Sequence, residues 1–269
     1  MFRKKKVDSV PKLYNLGNSL KDLGLQITAD RRLRKLFSAD ELYEFSITKD
    51  KAYNEHYYQA VLEQIYNWTL TVCMLEAIPM STDVYKTDEP YVLFYTTKNW
   101  KENKKGMVII IQPFSYPLIW SNRNIREHDL GDATFVNTVS KCVDNGYAVA
   151  IFTPSALLWD ADKKVPRTIS SFTSTGKHIT KKNYIPSIKS PEDYVTKGID
   201  YILSECQASK IYYIGAEYGS QLLNTYLDTN WERLSSRTAF VILLQNITSM
   251  FELSNKSFIE FLLKVCIFI

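Results

Sequence analysis

The turn Gly215-Ala216-Glu217-Tyr218-Gly219 is the sharpest chemical signal in the chain. It follows the run Ile211-Tyr212-Tyr213-Ile214 and precedes a stretch with apolar residues at Leu222, Leu223, Tyr226 and Leu227, so it reads as strand, tight turn, helix. This is the shape of the G-x-S-x-G nucleophile elbow, in which glycines permit a strained turn that lifts the central side chain above a sheet. Its centre here is Glu217, which supplies no hydroxyl. A serine nucleophile also needs a histidine within hydrogen-bond reach and an acid to orient it. A carboxylate could itself form an ester intermediate, yet a histidine would still be wanted to activate water. The three histidines, His56, His128 and His178, all precede the turn. The turn after Ile111, where backbone donors for an oxyanion are expected, reads Gln112-Pro113-Phe114-Ser115, with no glycine and one residue lacking an N–H. Several parts of the machinery would need substitutes at once, which argues against conventional hydrolysis.

The elements that position this turn follow from local patterns. Tyr58, Val61, Leu62, Ile65 and Tyr66 recur at helical spacing and predict an amphipathic helix from about residue 54 to 74, with Pro79 just beyond its end. Residues 91–95 predict a strand, and the continuous apolar runs 107–111 and 148–152 predict strands buried on both faces of a parallel sheet. Between them, Asp132 is expected to cap a helix carrying Phe135, Val136, Val139 and Cys142, stopped by Gly146. Ser190-Pro191-Glu192-Asp193 combines an N-cap serine, proline at the first helical position and a carboxylate three residues on, and predicts a helix burying Val195, Ile199, Ile202, Leu203 and Cys206. Residues 240–244 form the last clear strand. Strands alternating with helices through right-handed crossovers define an α/β protein, a three-layer α/β sandwich with a mostly parallel sheet.

Composition sets the outer bounds. The 269 residues are 45% hydrophobic and 23% charged, which excludes a largely disordered or collagen-like chain. The net charge of +4 is unevenly placed: residues 1–40 carry a net +6 and residues 156–189 a net +5, leaving an acidic remainder. Residues 1–39 are therefore read as a basic N-terminal arm, residues 40–269 as the domain, and residues 156–189 as a mobile basic insertion, too long for an ordinary connection. Cys73, Cys142, Cys206 and Cys266 form no C-x-x-C pair, and the histidines lack companions at ligand spacing, so reduced thiols, no metal and no cofactor are expected. The apolar run from Phe258 to Ile269 is too short for a membrane span and contains Glu260 and Lys264, so it is expected to be a core helix or strand and no membrane partner is expected. The chain is expected to be C-terminally short, as a truncated or alternatively spliced product would be.

Several segments, in order, resemble the Arb-two-like domain family, which includes the fungal Argonaute-binding protein two and animal cotranscriptional regulators and is itself similar to α/β-hydrolases. The stretch Glu55 to Glu76 resembles the family's R-Y-E-x-L helix. Residues 107–115 resemble its strand ending in His-Gly-Ser-Gly, and 146–155 its Gly-Tyr-Gly-Val strand closing on Asn-Pro-Asn. Ser190-Pro191-Glu192-Asp193-Tyr194 matches its Ser-Pro-Glu-Glu-His start, and residues 215–220 stand for its Ala-His-Ser-Tyr-Gly-Gly elbow. By this resemblance, which covers about residues 40–250, the elbow serine falls on Glu217, the Asp-Ser-Val-His segment falls on Asn246-Ile247-Thr248-Ser249, and the oxyanion-loop His-Gly falls on Gln112-Pro113.

The resemblance thus implies a degenerate α/β-hydrolase-like paralogue, not an enzyme, whose former catalytic positions are Glu217, Asn246 and Ser249. Its implied role is that of an interaction protein in small-RNA or chromatin-linked gene regulation, in nucleus and cytoplasm, contacting Argonaute or chromatin factors. RNA contact is expected to be indirect or electrostatic, since no RNA-binding motif is present. The competing expectation is a hydrolase with an atypical site at Glu217.

Overall fold

Strands whose side chains are buried on both faces form the centre of this protein, as their continuous apolar sequences require. The structure is a computed structural model that describes residues 14–245, 252–265 and 267–268. It begins with three short strands, β1 (Leu25–Ile27), β2 (Leu33–Lys35) and β3 (Ser38–Leu42), followed by the long helix α1 (Lys51–Val72). Then come β4 (Leu75–Met80), β5 (Val92–Thr97), β6 (Met107–Ile111), the short helices α2 (Asn122–Glu127) and α3 (Leu130–Ala133), α4 (Val136–Asp144) and β7 (Ala148–Phe152). A small hairpin, β8 (Leu158–Asp160) and β9 (Val165–Arg167), leads through α5 (Ile169–Thr173) to α6 (Pro191–Glu205) and β10 (Ile211–Ala216). The last elements are α7 (Tyr218–Leu234), β11 (Thr238–Leu244), α8 (Lys256–Val265) and β12 (Ile267–Phe268).

Seven strands form the main sheet in the order β12-β11-β10-β6-β7-β5-β4. β6, β7, β10, β11 and β12 are parallel neighbours, and β5 alone runs against both of its partners. Every residue of β6 and β7 is buried. On one face Ile109, Ala150, Tyr213 and Val241 pack with Tyr194 and Ile199 of α6, Leu223 and Leu227 of α7, and Phe258 of α8. On the other, Val108, Ile110, Val149 and Ile151 pack with Val136 and Val139 of α4 and with Tyr66 of α1. The expected three-layer sandwich is therefore present, and the chain alternation that builds it was visible in the sequence.

Local chemistry places the helix ends. Ser190 caps α6 by accepting from the Asp193 N–H, with Pro191 at the first helical position, as expected. Asp132 does not cap the helix that carries Val136 and Val139. Asp129 performs the capping instead, one turn earlier, for α3, while α4 starts at Val136 with no side-chain cap. Pro79 lies inside β4 rather than next to the helix; α1 ends at Val72 with Cys73 as its C-cap, followed by Met74 at φ 50°. Gly146 ends the α4 region at φ 75°, a conformation open to a residue without Cβ.

Two segments expected to stand apart are packed. Leu23, Leu25 and Leu33 join a cluster with Tyr57, Val61 and Ile65 of α1, so the folded body begins well before residue 40. The region 156–189 is not a loose insertion: Trp159, Ile185 and Ile188 enter the main core, and Phe172 is buried. Its one deeply buried carboxylate, Asp160, accepts from Lys177 Nζ at 2.8 Å, and Lys177 also pairs with Asp162 at 2.7 Å. Arg167 reaches Glu63 of α1 at 3.3 Å. The surplus charge sits on exposed Lys163, Lys164, Lys181, Lys182 and Lys189 around this apolar base.

Burial would raise the Asp160 carboxyl, but the hydrogen bond and charge of Lys177 outweigh it and hold the group below its ordinary value. A carboxylate so held stabilises the fold above its unfolded value of about 4 and loses that contribution as pH falls through the lower folded value. In denaturant unfolding, the stability gap between wild type and Asp160→Asn is accordingly expected to shrink as pH falls from about 5 to about 2. A gap that stays constant would show that the pairing does not stabilise this region.

Candidate functional site

β10 runs into the elbow and α7 leaves it, as the glycine spacing predicted. Glu217 sits at the N-cap of α7 with φ 51° and ψ −120°, a conformation that L-residues adopt only where their surroundings impose it. The surroundings are close backbone contacts. A Cβ on Gly215 would stand 2.6 Å from the Ser220 Cα, and one on Gly219 would stand 2.4 Å from the Ile111 carbonyl oxygen and 2.6 Å from that of Gln112. The Glu217 N–H donates to Leu244 O at 2.9 Å, and Glu217 O accepts from Ser220 N at 3.0 Å. The turn is thus held by its neighbours, while the Glu217 side chain itself is exposed.

The groups around Glu217 are engaged elsewhere. Ser220 is buried, and its hydroxyl donates to Leu244 O at 3.1 Å. The Tyr218 hydroxyl donates to Glu192 Oε1 at 2.9 Å; burial, then this bond, pushes it up to about 12. Burial opposes ionisation of Glu192, but hydrogen bonds from Ser190, from its own backbone and from Tyr218 hold it below the usual value. The Phe114 ring stands edge-on to Tyr218, centroids 5.9 Å apart.

The loop expected to supply oxyanion donors is braced internally. Gln112 N donates to Phe152 O at 3.1 Å, its Oε1 accepts from Leu118 N at 2.9 Å, Pro113 has no N–H, and Ser115 N donates back to Pro113 O at 2.7 Å. None of the three histidines is hydrogen-bonded or ion-paired to Glu217. His56 Nδ1 donates to Ser174 O at 3.2 Å, while His128 and His178 are exposed. Asn246 and Ser249 lie outside the described residues. Among the described residues no group of His, Cys, Asp or Glu could hold a metal ion, and no helix is long and apolar enough to cross a membrane. Cys73, Cys142 and Cys206 are free, and burial pushes the Cys73 thiol up to about 11.

A cavity that no sequence pattern marks lies elsewhere. It measures about 320 Å3, between α1, residues 14–18 and residues 163–175, and Glu217 is not in its wall. Its polar lining comes from three separate segments, residues 14–18, 56–67 and 163–175, which no local pattern connects.

The strand order, the single reversed strand and the elbow after β10 define an α/β-hydrolase fold. Within it, the chain belongs to the Arb2 domain family, whose profile matches residues 16–267. Among solved structures it is similar to a histone deacetylase from Saccharomyces cerevisiae, at 13% identity over 78% of each chain with a TM-score of 0.46. It is also similar to naproxen esterase from Bacillus subtilis, at 12% identity over 69% of this chain and 49% of the esterase, TM-score 0.34. A third is mouse alpha/beta hydrolase domain-containing protein 10, at 12% identity over 63% and 49%, TM-score 0.33. Among curated protein sequences, none matches this chain.

The geometry separates the strain of the turn from any use of its side chain. Glu217→Gly, which relieves the positive φ and removes an exposed side chain, is expected to stabilise the protein by about 1 kcal/mol. Gly219→Ala, whose Cβ meets two carbonyl oxygens, is expected to destabilise it by about 1–3 kcal/mol. Thermal and denaturant unfolding of the two variants checks both signs.

Proposed function

We propose that this protein is a non-catalytic interaction protein of small-RNA or chromatin-linked gene regulation, contacting Argonaute or chromatin factors in nucleus and cytoplasm. The observation that carries the reading is the state of the elbow. Its backbone is retained in full, yet Glu217 occupies its centre, Ser220 and Tyr218 are committed to other partners, and in the facing loop the Gln112 and Ser115 N–H groups already donate to the carbonyls of Phe152 and Pro113. A turn kept by packing and stripped of its chemical partners serves the fold rather than a reaction. Membership of the Arb2 domain family supplies the direction of the partner assignment.

The exposed lysines over residues 163–189 support a surface that meets acidic protein or phosphate groups by charge. Contact of this kind falls as salt rises and carries no sequence readout.

Two measurements test the reading. Purified protein is expected to give no turnover above buffer with ester, thioester and amide substrates, with wild type and Glu217→Gln indistinguishable. Turnover abolished by Glu217→Gln would establish the alternative, a hydrolase with an atypical site. In parallel, crosslinking and affinity capture from cells is expected to recover Argonaute or a chromatin factor, and to recover less when Lys163, Lys164, Lys181 and Lys182 are changed to Glu. Capture that contains neither class would overturn the partner assignment.

A further inference from the structure

β6 is followed by α4 on one face of the sheet, and the crossover from its parallel neighbour β7 places α6 on the other. The loops after two such strands part and leave a crevice at their carboxyl ends, the place where open α/β sheets bind ligands. Here the crevice measures about 180 Å3 and is closed by α1 and by the start of α5. Its floor is braced. The Ser155 hydroxyl, after β7, donates to Ser115 O, after β6, and the Ser115 hydroxyl donates to Ile119 O at 2.6 Å. Thr168 accepts from Ser171 N at 3.1 Å, which sets Ile169 and Ser170 on the rim.

Among the described residues that line this crevice, Glu55 of α1 is the only charged one. The residue is half-buried. Its Oε1 accepts from Gln59 Nε2 at 3.1 Å, while its Oε2 is open to solvent and has no hydrogen-bond or ion-pair partner among the described residues. Burial and then the Glu55 charge push the neighbouring Tyr58 hydroxyl up, so that hydroxyl stays neutral. A partly enclosed carboxylate without a cation is stabilised by a ligand that brings one. The wall beside it is apolar: Phe114 and Ile169 line the crevice, each with 51% of its surface exposed. Tyr58 adds a second ring, and aromatic rings attract cations rather than anions.

We propose that this crevice binds an alkylammonium group, that of a free amine or of a lysine side chain: the ammonium donates to Glu55 Oε2 and the methylenes lie on Phe114 and Ile169. An ammonium has three donors and no acceptor, which suits an unpartnered carboxylate. The volume is below the roughly 300 Å3 at which pockets for drug-sized ligands begin, so the crevice admits one such chain. The proposal does not rest on the interaction reading above. It uses neither the elbow nor the exposed lysines, and failure of either leaves the other standing.

NMR titration of the whole chain with butylammonium, Nα-acetyl-lysine methylamide, butanol and butyrate tests it. At least one of the two cations is expected to bind saturably and to shift the amide signals of Glu55 and Ser170, and butanol and butyrate are not. Glu55→Gln, which keeps an acceptor for Gln59 Nε2, is expected to weaken the bound cation about tenfold. Ile169→Ser, on the exposed rim, is expected to weaken it about threefold. Circular dichroism and unfolding midpoints confirm that each variant is folded. Tighter binding of the lysine derivative supports the proposal with a peptide lysine as the source, and tighter binding of butylammonium supports it with a free amine. Absence of saturable binding by both cations, equal binding of butanol, or equal binding by wild type and Glu55→Gln would overturn the proposal. Binding unchanged by Ile169→Ser would overturn the role given to the methylenes.

Discussion

No side-chain atom fits between Gly219 and the carbonyl oxygen of Ile111. That single close approach brings the start of α7 down onto the end of β6, and much of the sheet's geometry depends on it. With Gly215 pressed against Ser220, it fixes the angle at which the chain leaves β10, and so the seat of Leu223, Tyr226 and Leu227 on the core. The Glu217 and Ser220 bonds to Leu244 then tie the same turn to the end of β11. Backbone strain at Glu217 is the cost, and it is met by packing on both sides rather than by anything the side chain does.

Charge plays the equivalent part on the other flank. Residues 156–189 carry an excess of lysine and arginine, yet the segment docks because its inward cations find carboxylates and its outward ones stay in water. Arg167 links the β8–β9 hairpin to α1 across 104 residues of sequence, and Trp159, Ile185 and Ile188 give the segment its apolar base. Charge and burial act together here: a carboxylate as enclosed as Asp160 is tolerated only with a cation in contact.

The parts legible in the sequence were those with local causes. β6 and β7 were bounded correctly by their apolar runs, α6 by its serine, proline and acidic start, and the elbow by the spacing of Gly215 and Gly219. Asp129 and Asp132 offer the same capping chemistry three residues apart, so choosing between them required knowing which carboxylate faces the Gly131 N–H. The packing of 156–189 was hidden because its partners lie on α1 and in the main core, and lysine-rich composition masked a few well-spaced apolar residues. The cavity beside α1 was hidden for the same reason: its walls on α1 and on residues 163–175 meet only in the fold.

The position of β6 has a consequence for how the chain must be assembled. Its five buried residues pair on one side with β7 and on the other with β10, whose first residue, Ile211, is opposite Met107 and is made roughly 100 residues later. During synthesis from the N-terminus, the most apolar strand of the sheet therefore spends a long interval as an open edge, with backbone donors and acceptors unpaired. In the interval before β10 is made, that edge is the part of the nascent protein most in need of a chaperone's cover.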